Sequence, residues 1–290
     1  MLRLTGETKY ADAIEQTTFN ALLASMKPDG SDWAKYTPLS GQRMEGTEQC
    51  NMGLNCCVAS GPRGLFTIPL SAVMQTHEGL HINFYAEGSY KARTPANQDI
   101  EIIQKTMYPE DGRITIKMLL PEPEIMTLRL RIPSWSQITK VRINGETVEN
   151  GSAGDWTVIR RQWKAEDVIE LELDMRGRVI RMGNQPEYAA ILRGPVVLVR
   201  DARLQGPSVG AIIEPIADNN SFINLTRSDT KVNGVWMQFK ADCMLESYAE
   251  EGPKPVQTEF CDYSTAGNTY DEKSLFRVWL PQLYNPREEE

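Results

Sequence analysis

The stretch "DIEIIQKTMYPEDGRITIKMLL", residues 99–120, decides the class of fold. Two apolar-alternating runs flank Pro109-Glu110-Asp111-Gly112, which reads as strand, turn, strand. The same period-two texture extends both ways from His81 onward. Upstream, "LHINFYAEGSYKA" alternates around Ile82 and Phe84 with a turn at Glu87-Gly88. Downstream, "IMTLRLRIPSW" sets Leu128, Leu130 and Ile132 against Arg129 and Arg131, which predicts one buried and one wet face. "KVRINGETVENG" carries Asn144-Gly145 between two short apolar runs, a tight hairpin, and "DWTVIRRQWKAEDVIELELDM" supplies two more strands. "EYAAILRGPVVLVRD" is a strong strand run broken at Gly194-Pro195. "SFINLTRSD", "KVNGVWMQFKADCML" and "SLFRVWLPQL" follow as later strands, after a Gly/Pro-rich connection over residues 204–218. Strands at intervals of roughly 8–12 residues with turn signals indicate a β-sandwich. The expected fold is mainly β, with a sandwich over 76–203, a smaller β-domain or sandwich extension over 204–290, and helices and loops over 1–75.

In that first part, "TKYADAIEQTTFNALLASM", residues 8–26, reads as a helix. Tyr10, Ile14, Thr17/Thr18, Ala21 and Leu22 recur at three-to-four spacing, and Lys27-Pro28-Asp29-Gly30 ends it. "GPRGLFTIPLSAVMQT" reads as a second short helix with Gly61, Pro62 and Gly64 at its start. A net charge of −8 and the absence of any long basic run argue against a nucleic-acid surface. No stretch of 18 apolar residues predicts a membrane span. "MLRLTGETKYADAIEQ" has no basic-then-apolar leader, so the chain as given reads as cytoplasmic.

The chemistry-bearing stretch is "TEQCNMGLNCCVASGPRGL", residues 47–65, with three of the five cysteines and two of them adjacent. Cys56 and Cys57 admit four readings: buried filler, a vicinal disulfide, metal ligands, or a nucleophile with its helper. Cys243 and Cys261 stand alone and read as half-buried apolar filler. His77 and His81 are four apart, but Gly79 and the alternation after Leu80 place them in a turn and strand, as unrelated surface or packing residues. Trp156 and Trp163 fall in strand patterns and read as core. Trp33 and Tyr36 lie in a polar, aromatic-bearing connection. Arg63 reads as either a cation on a helix surface or an ion-pair partner for a carboxylate.

Several of these stretches, in order over residues 4–200, resemble glycoside hydrolase family 127, the β-L-arabinofuranosidase-type enzymes. "LTGETKYADAIEQTTFNALLA" is similar to that family's late-barrel helix, "NCC" followed by Arg63 to its paired cysteines, and "TLRLRIPSW…KVRINGETV…DWTVIRRQWKAEDVIELELDM" to its first β-sandwich. "AILRGPVVLVRD" looks like the strand that closes it. The resemblance implies an (α/α)6 barrel followed by β-sandwiches, of which residues 1–75 hold only the last barrel helices, as in a truncated chain. It implies Cys56 as the nucleophile of a retaining mechanism, and Cys56 and Cys57 as zinc ligands. A zinc-stabilised thiolate suits that chemistry. The family's acid/base Glu and its Glu-x-Cys pair are not found here. Glu48-x-Cys50 sits too close to Cys56 to be that pair, although Cys50, Cys56, Cys57 and Glu48 together would make a four-ligand set; otherwise the zinc site is incomplete. Where the commoner family form continues into Pro-Pro-Asn, this chain continues Val58-Ala59-Ser60-Gly61-Pro62-Arg63.

Two functions follow. In one, the chain is the C-terminal part of a zinc- and cysteine-dependent retaining glycosidase acting on arabinofuranoside-like glycans, with a periplasmic or secreted parent. In the other it is a non-catalytic β-sandwich module for structure or carbohydrate contact, with no turnover alone. For a carbohydrate ligand of either kind, Trp33 and Tyr36 are the candidate contacts. The apolar stripe of residues 8–26 predicts self-association.

Overall fold

The structure, a computed structural model, describes residues 1–49, 55–149, 151–246 and 252–283. It is mainly β with a few short helices, in the manner of β-sandwich chains, and divides into two compact units. One contains Met1–Thr17 and Leu65–Met175, the other Thr18–Gly64 and Arg176–Glu290. The two units meet in sequence at 175/176, and residues 1–75 are shared between both. No described helix is long and apolar enough to cross a membrane.

The first unit holds two sheets. Six antiparallel strands run in the spatial order Gly88–Arg93, Asp99–Thr106, Arg113–Leu119, Val168–Glu172, Lys140–Ile143, Glu146–Val148. The hairpin expected in residues 99–120 is present, with Glu101 opposite Leu119 and Thr106 opposite Ile114. Ile100, Ile102, Ile114, Ile116 and Met118 point to one face and are nearly fully buried. Asn144 and Gly145 both take positive φ (52° and 85°), the two-residue hairpin turn that Asn-Gly favours. The second sheet has the order Trp156–Trp163, Glu124–Arg131, Gly79–Ile82, Val73–Gln75. The two strands of "DWTVIRRQWKAEDVIELELDM" thus belong to different sheets. Gly79–Ile82 pairs in parallel with Glu124–Arg131. Gly79 has φ 153°, and a Cβ there would sit 1.9 Å from the Thr127 carbonyl oxygen, so only glycine allows that approach.

The alternation fails at Arg131. Arg131, expected on a wet face, is completely buried. The reason lies in the N-terminal helix Thr8–Thr17, whose buried side carries Thr8, Ala11 and Glu15 while Tyr10 and Ile14 are only half-buried. Arg131 Nη1 donates to Asp12 (2.5 Å), Nη2 to Glu15 (2.5 Å) and Nε to the Asn83 carbonyl (2.6 Å). Trp135 Nε1 donates to the second Glu15 oxygen, and the Ser134 N–H to Asp12. The helix is held to the β-structure by a buried charge cluster as well as by apolar contact. Its first turn is tied in the same way, with the Thr8 hydroxyl donating to the Gly154 carbonyl and Trp156 Nε1 to that of Gly6.

In the second unit the helical run predicted over 8–26 continues as a π-helix, Thr18–Leu22, and a last turn, Leu23–Ser25. Buried Asn20 donates to the Pro195 carbonyl and accepts from the Val197 N–H, so it locks the Gly194-Pro195 turn. The main path of the sheet runs Ile213–Pro215, Gln238–Leu245, Lys254–Asp262, Val196–Asp201, Gln185–Arg193, Gly177–Met182, Phe222–Ile223. Short strands Ser40–Gly41, Phe276–Arg277 and Leu280–Pro281 attach to its side. Val179, Ile191, Leu198, Phe239, Phe260 and Leu280 form its core. Lys254–Asp262 is a long strand that its sequence hides. Pro255 discourages the reading, and Glu259 points inward, where Ser228, Thr230 and Gln238 donate to its carboxylate.

Candidate functional site

The paired cysteines lie at the start of a nine-residue helix, Cys57–Leu65, with Cys56 just before it. The helix begins earlier than the expected residue 61, and what starts it is Asn55. The Asn55 carbonyl accepts the Val58 N–H (3.2 Å), and its side-chain Oδ1 accepts the Cys57 N–H (3.0 Å). Asn favours this position because its short carbonyl satisfies an N–H that the helix itself leaves without a partner. The other end of the Asn55 amide is equally committed. Its Nδ2 donates to Asp32 Oδ1 (2.7 Å) and to the Trp33 carbonyl (2.6 Å). Asp32 also accepts the Thr47 N–H (3.0 Å). The loop supplying Asp32 and Trp33 is folded back on its own helix end, with the Lys27 N–H donating to the Asp32 carbonyl and the Ala34 N–H to that of Ser25.

The helix is also held from the side. Trp33 is 3% exposed, and its ring lies so close to Gly61 that a Cβ there would be 2.1 Å from Trp33 Cε3. Trp33, an expected carbohydrate contact, is thus placed with its indole packed against the thiol helix. Tyr36 is 61% exposed, and its backbone is gripped by Gln49, whose side chain accepts from the Lys35 and Tyr36 N–H groups and donates to the Tyr36 carbonyl. Arg63 Nη2 donates to Ser60 Oγ one turn away, as suits a cation on a helix surface.

Cys56 is exposed and Cys57 half-buried. Burial pushes Asp32 up, but hydrogen bonds from Thr47, Trp33, Asn55 and Gly46 outweigh it and hold the carboxyl below the usual range. A carboxyl kept ionised in this way is poorly suited to protonate a leaving oxygen.

Among the described residues no three His, Cys, Asp or Glu side chains gather as a metal site. Two thiols are suitable soft donors, but a zinc site takes about four ligands, so the described residues do not fit the ion by themselves. Cys50 lies outside the described residues, and the Glu48 carboxylate accepts the Glu45 N–H. The histidines are apart in character. His77 is exposed, while His81 packs against Trp156 with the rings tilted by 50° and their centroids 4.9 Å apart; burial and then Arg129 lower its pKa.

Cys243 and Cys261 are fully buried, deeper than the half-buried filler expected. Burial pushes the Cys243 thiol up to about 11, and burial, Asp262 and Asp201 push Cys261 well above the ordinary thiol range. Thiolate is the reactive form. Iodoacetamide at pH 8 is therefore expected to alkylate Cys56 in the native protein and to reach Cys243 and Cys261 only after unfolding, as read by peptide mass mapping. Rapid native alkylation of Cys261 would contradict this packing.

Sequence reasoning found the thiols and missed what holds them. Asn55, two residues ahead of the first helical N–H, was the available signal. Nothing in the sequence marks Asp32 as its partner.

Over 98% of its length the chain superposes on half of a solved glycoside hydrolase, with a TM-score of 0.82 at 23% identity. It superposes equally widely on 48% of a GH127 β-L-arabinofuranosidase from Geobacillus stearothermophilus T6, with a TM-score of 0.80 at 22% identity. Residues 1–69 match the sequence profile of the GH127 β-L-arabinofuranosidase catalytic domain, and residues 79–175 that of the GH127 middle domain. Together these cover more than half of the chain, which belongs to glycoside hydrolase family 127. A curated relative, the non-reducing end β-L-arabinofuranosidase of Bifidobacterium longum subsp. longum, is 24% identical over 217 residues. That alignment covers 68% of this chain and 32% of the relative, so the chain spans about a third of that protein and about half of the solved ones.

Proposed function

We propose that this chain carries the cysteine part of a retaining β-L-arabinofuranosidase centre, with Cys56 as the nucleophile. The observation that carries the reading is the exposed Cys56 thiol at the head of a helix held by Asn55, Asp32 and Trp33. Placement of this kind brings a nucleophile to a reacting carbon at fixed distance and angle. In the first step the sulfur bonds to the anomeric carbon as the glycosidic C–O bond breaks, and the departing oxygen takes a proton from an acid. In the second, water displaces the sulfur. Asp32 is not that acid, since it is held ionised and both its oxygens accept hydrogen bonds. The acid/base is supplied by residues other than those described around Cys56. The thiol pair would contribute two of the about four donors that zinc takes.

The second reading, a non-catalytic module, is favoured by the same missing acid. One experiment separates the two. β-L-Arabinofuranosyl fluoride has a leaving group that departs with little protonation. Incubation of the chain with it is expected to leave a pentosyl group on Cys56, with fluoride released and the thiol proton lost to solvent. The adduct should be absent in Cys56→Ser. An unmodified Cys56 that iodoacetamide still alkylates would sink the nucleophile assignment. Turnover of an aryl β-L-arabinofuranoside by the chain alone would overturn the external acid.

A further inference from the structure

In the second unit, far along the sequence from the thiols, the segment Phe276–Leu280 alternates sharply. Phe276, Val278 and Leu280 are 1–5% exposed, and Arg277 and Trp279 between them are half-buried. One edge is fixed by Ser40–Gly41, with Ser40 opposite Arg277 and the Val278 N–H donating to the Leu39 carbonyl. The other is fixed by the strand Gln185–Arg193, with Tyr188 opposite Pro281 and Ala189 opposite Leu280. Between these edges lies a cleft of about 230 Å³, lined by Leu39, Ser40, Gln185, Tyr188, Arg277 and Trp279.

We propose that this cleft is a carbohydrate-binding site that holds one neutral sugar ring, separate from the thiol centre. Two aromatic rings line a concave surface, where an apolar C–H face of a sugar can pack. The Ser40, Gln185, Tyr188 and Arg277 side chains bring a hydroxyl, an amide, a phenol and a guanidinium to the cleft, donors and acceptors that suit ring hydroxyls. Apolar walls with a few convergent polar groups are the usual make-up of a small-molecule site. The volume lies below the roughly 300–1,000 Å³ of drug-sized pockets, which selects one ring over a bound chain. A single guanidinium on a chain of net charge −8 is a weak lure for a polyanionic glycan, and the remaining partners suit neutral hydroxyls. The choice of arabinose as probe rests on the proposed function; the cleft chemistry does not.

The test is ligand-observed saturation-transfer NMR on the 290-residue chain with methyl β-L-arabinofuranoside and L-arabinose, with glycerol as a control for unspecific polyol contact. Saturable binding of a sugar and none of glycerol is expected. Tyr188→Ala and Arg277→Ala, both at solvent-accessible positions, should each weaken it about fivefold to tenfold with an unchanged melting temperature. Trp279→Phe, which keeps a ring at a half-buried site, should weaken it less. Cys56→Ser should leave it intact. Absence of binding to either sugar overturns the proposal, as does binding lost in Cys56→Ser and kept in the cleft variants. Failure of the fluoride to label Cys56 would leave the cleft result standing, so the two readings fail separately.

Discussion

Replacing Arg131 with methionine is expected to destabilise the unit formed by Met1–Thr17 and Leu65–Met175 by about 3–5 kcal/mol, the effect of breaking a buried ion pair from one side. The guanidinium is fully buried and its three donor nitrogens are all used, by Asp12, Glu15 and the Asn83 carbonyl. Burial works against its charge, but Glu15, Tyr108 and Asp12 outweigh that and hold it protonated more firmly than in water. Methionine fills much of the volume and leaves two carboxylates, one of them 1% exposed, with no counter-charge. Thermal unfolding should fall by about 10 °C or more. The decisive comparison is the combined variant Arg131→Met with Glu15→Leu and Asp12→Leu. Replacing a whole buried ionic group with apolar residues is often neutral, so most of the loss should return. If the triple variant is instead as unstable as the three single losses added together, the cluster is not a coupled unit.

That cluster also shows what the sequence could reveal. Period-two patterning predicted the Asp99–Leu119 hairpin, the Asn144-Gly145 turn and the Gly194-Pro195 break, because in each the signal is local and the turn residues have a backbone reason to be there. The same patterning assigned Arg131 to water. A charge looks exposed until its partners are known, and Asp12 and Glu15 lie more than a hundred residues away. For the same reason the apolar stripe of the N-terminal helix looked like its packing face, whereas the most buried positions include Thr8 and Glu15. The candidate site divides in the same way. The adjacent thiols were visible by composition. The Asn55 cap had a local cue, while the buried Trp33 face and the Asp32 contact are tertiary facts. Arg277 and Trp279 sat unremarked in a strand pattern, since the cleft needs Ser40, Gln185 and Tyr188 beside them.

The largest functional effect of a small change is expected at Gly61. The Gly61 Hα that a side chain would replace points at the Trp33 ring, and a Cβ in its place would sit 2.1 Å from Trp33 Cε3 and 2.4 Å from Cδ2. A rigid, 3% exposed indole cannot swing aside as a flexible side-chain end would, so the helix Cys57–Leu65 must move. Two opposing terms set the stability of Gly61→Ala. Overpacking costs about 1–3 kcal/mol, and the better helix propensity of alanine returns about 1 kcal/mol. The net loss is modest, a few degrees of melting temperature at most. The position of Cys56 is affected more. A displacement of about 1 Å at a reacting group is enough for a loss on the order of a hundredfold in rate. Labelling of Cys56 by β-L-arabinofuranosyl fluoride should therefore slow by at least an order of magnitude while the fold survives. Trp33→Leu in the same chain removes the obstacle and should recover part of the rate, because the two changes act through one contact. Unchanged labelling in Gly61→Ala would mean that the Trp33 contact does not position the thiol, and Asn55 alone would then have to hold the head of the helix.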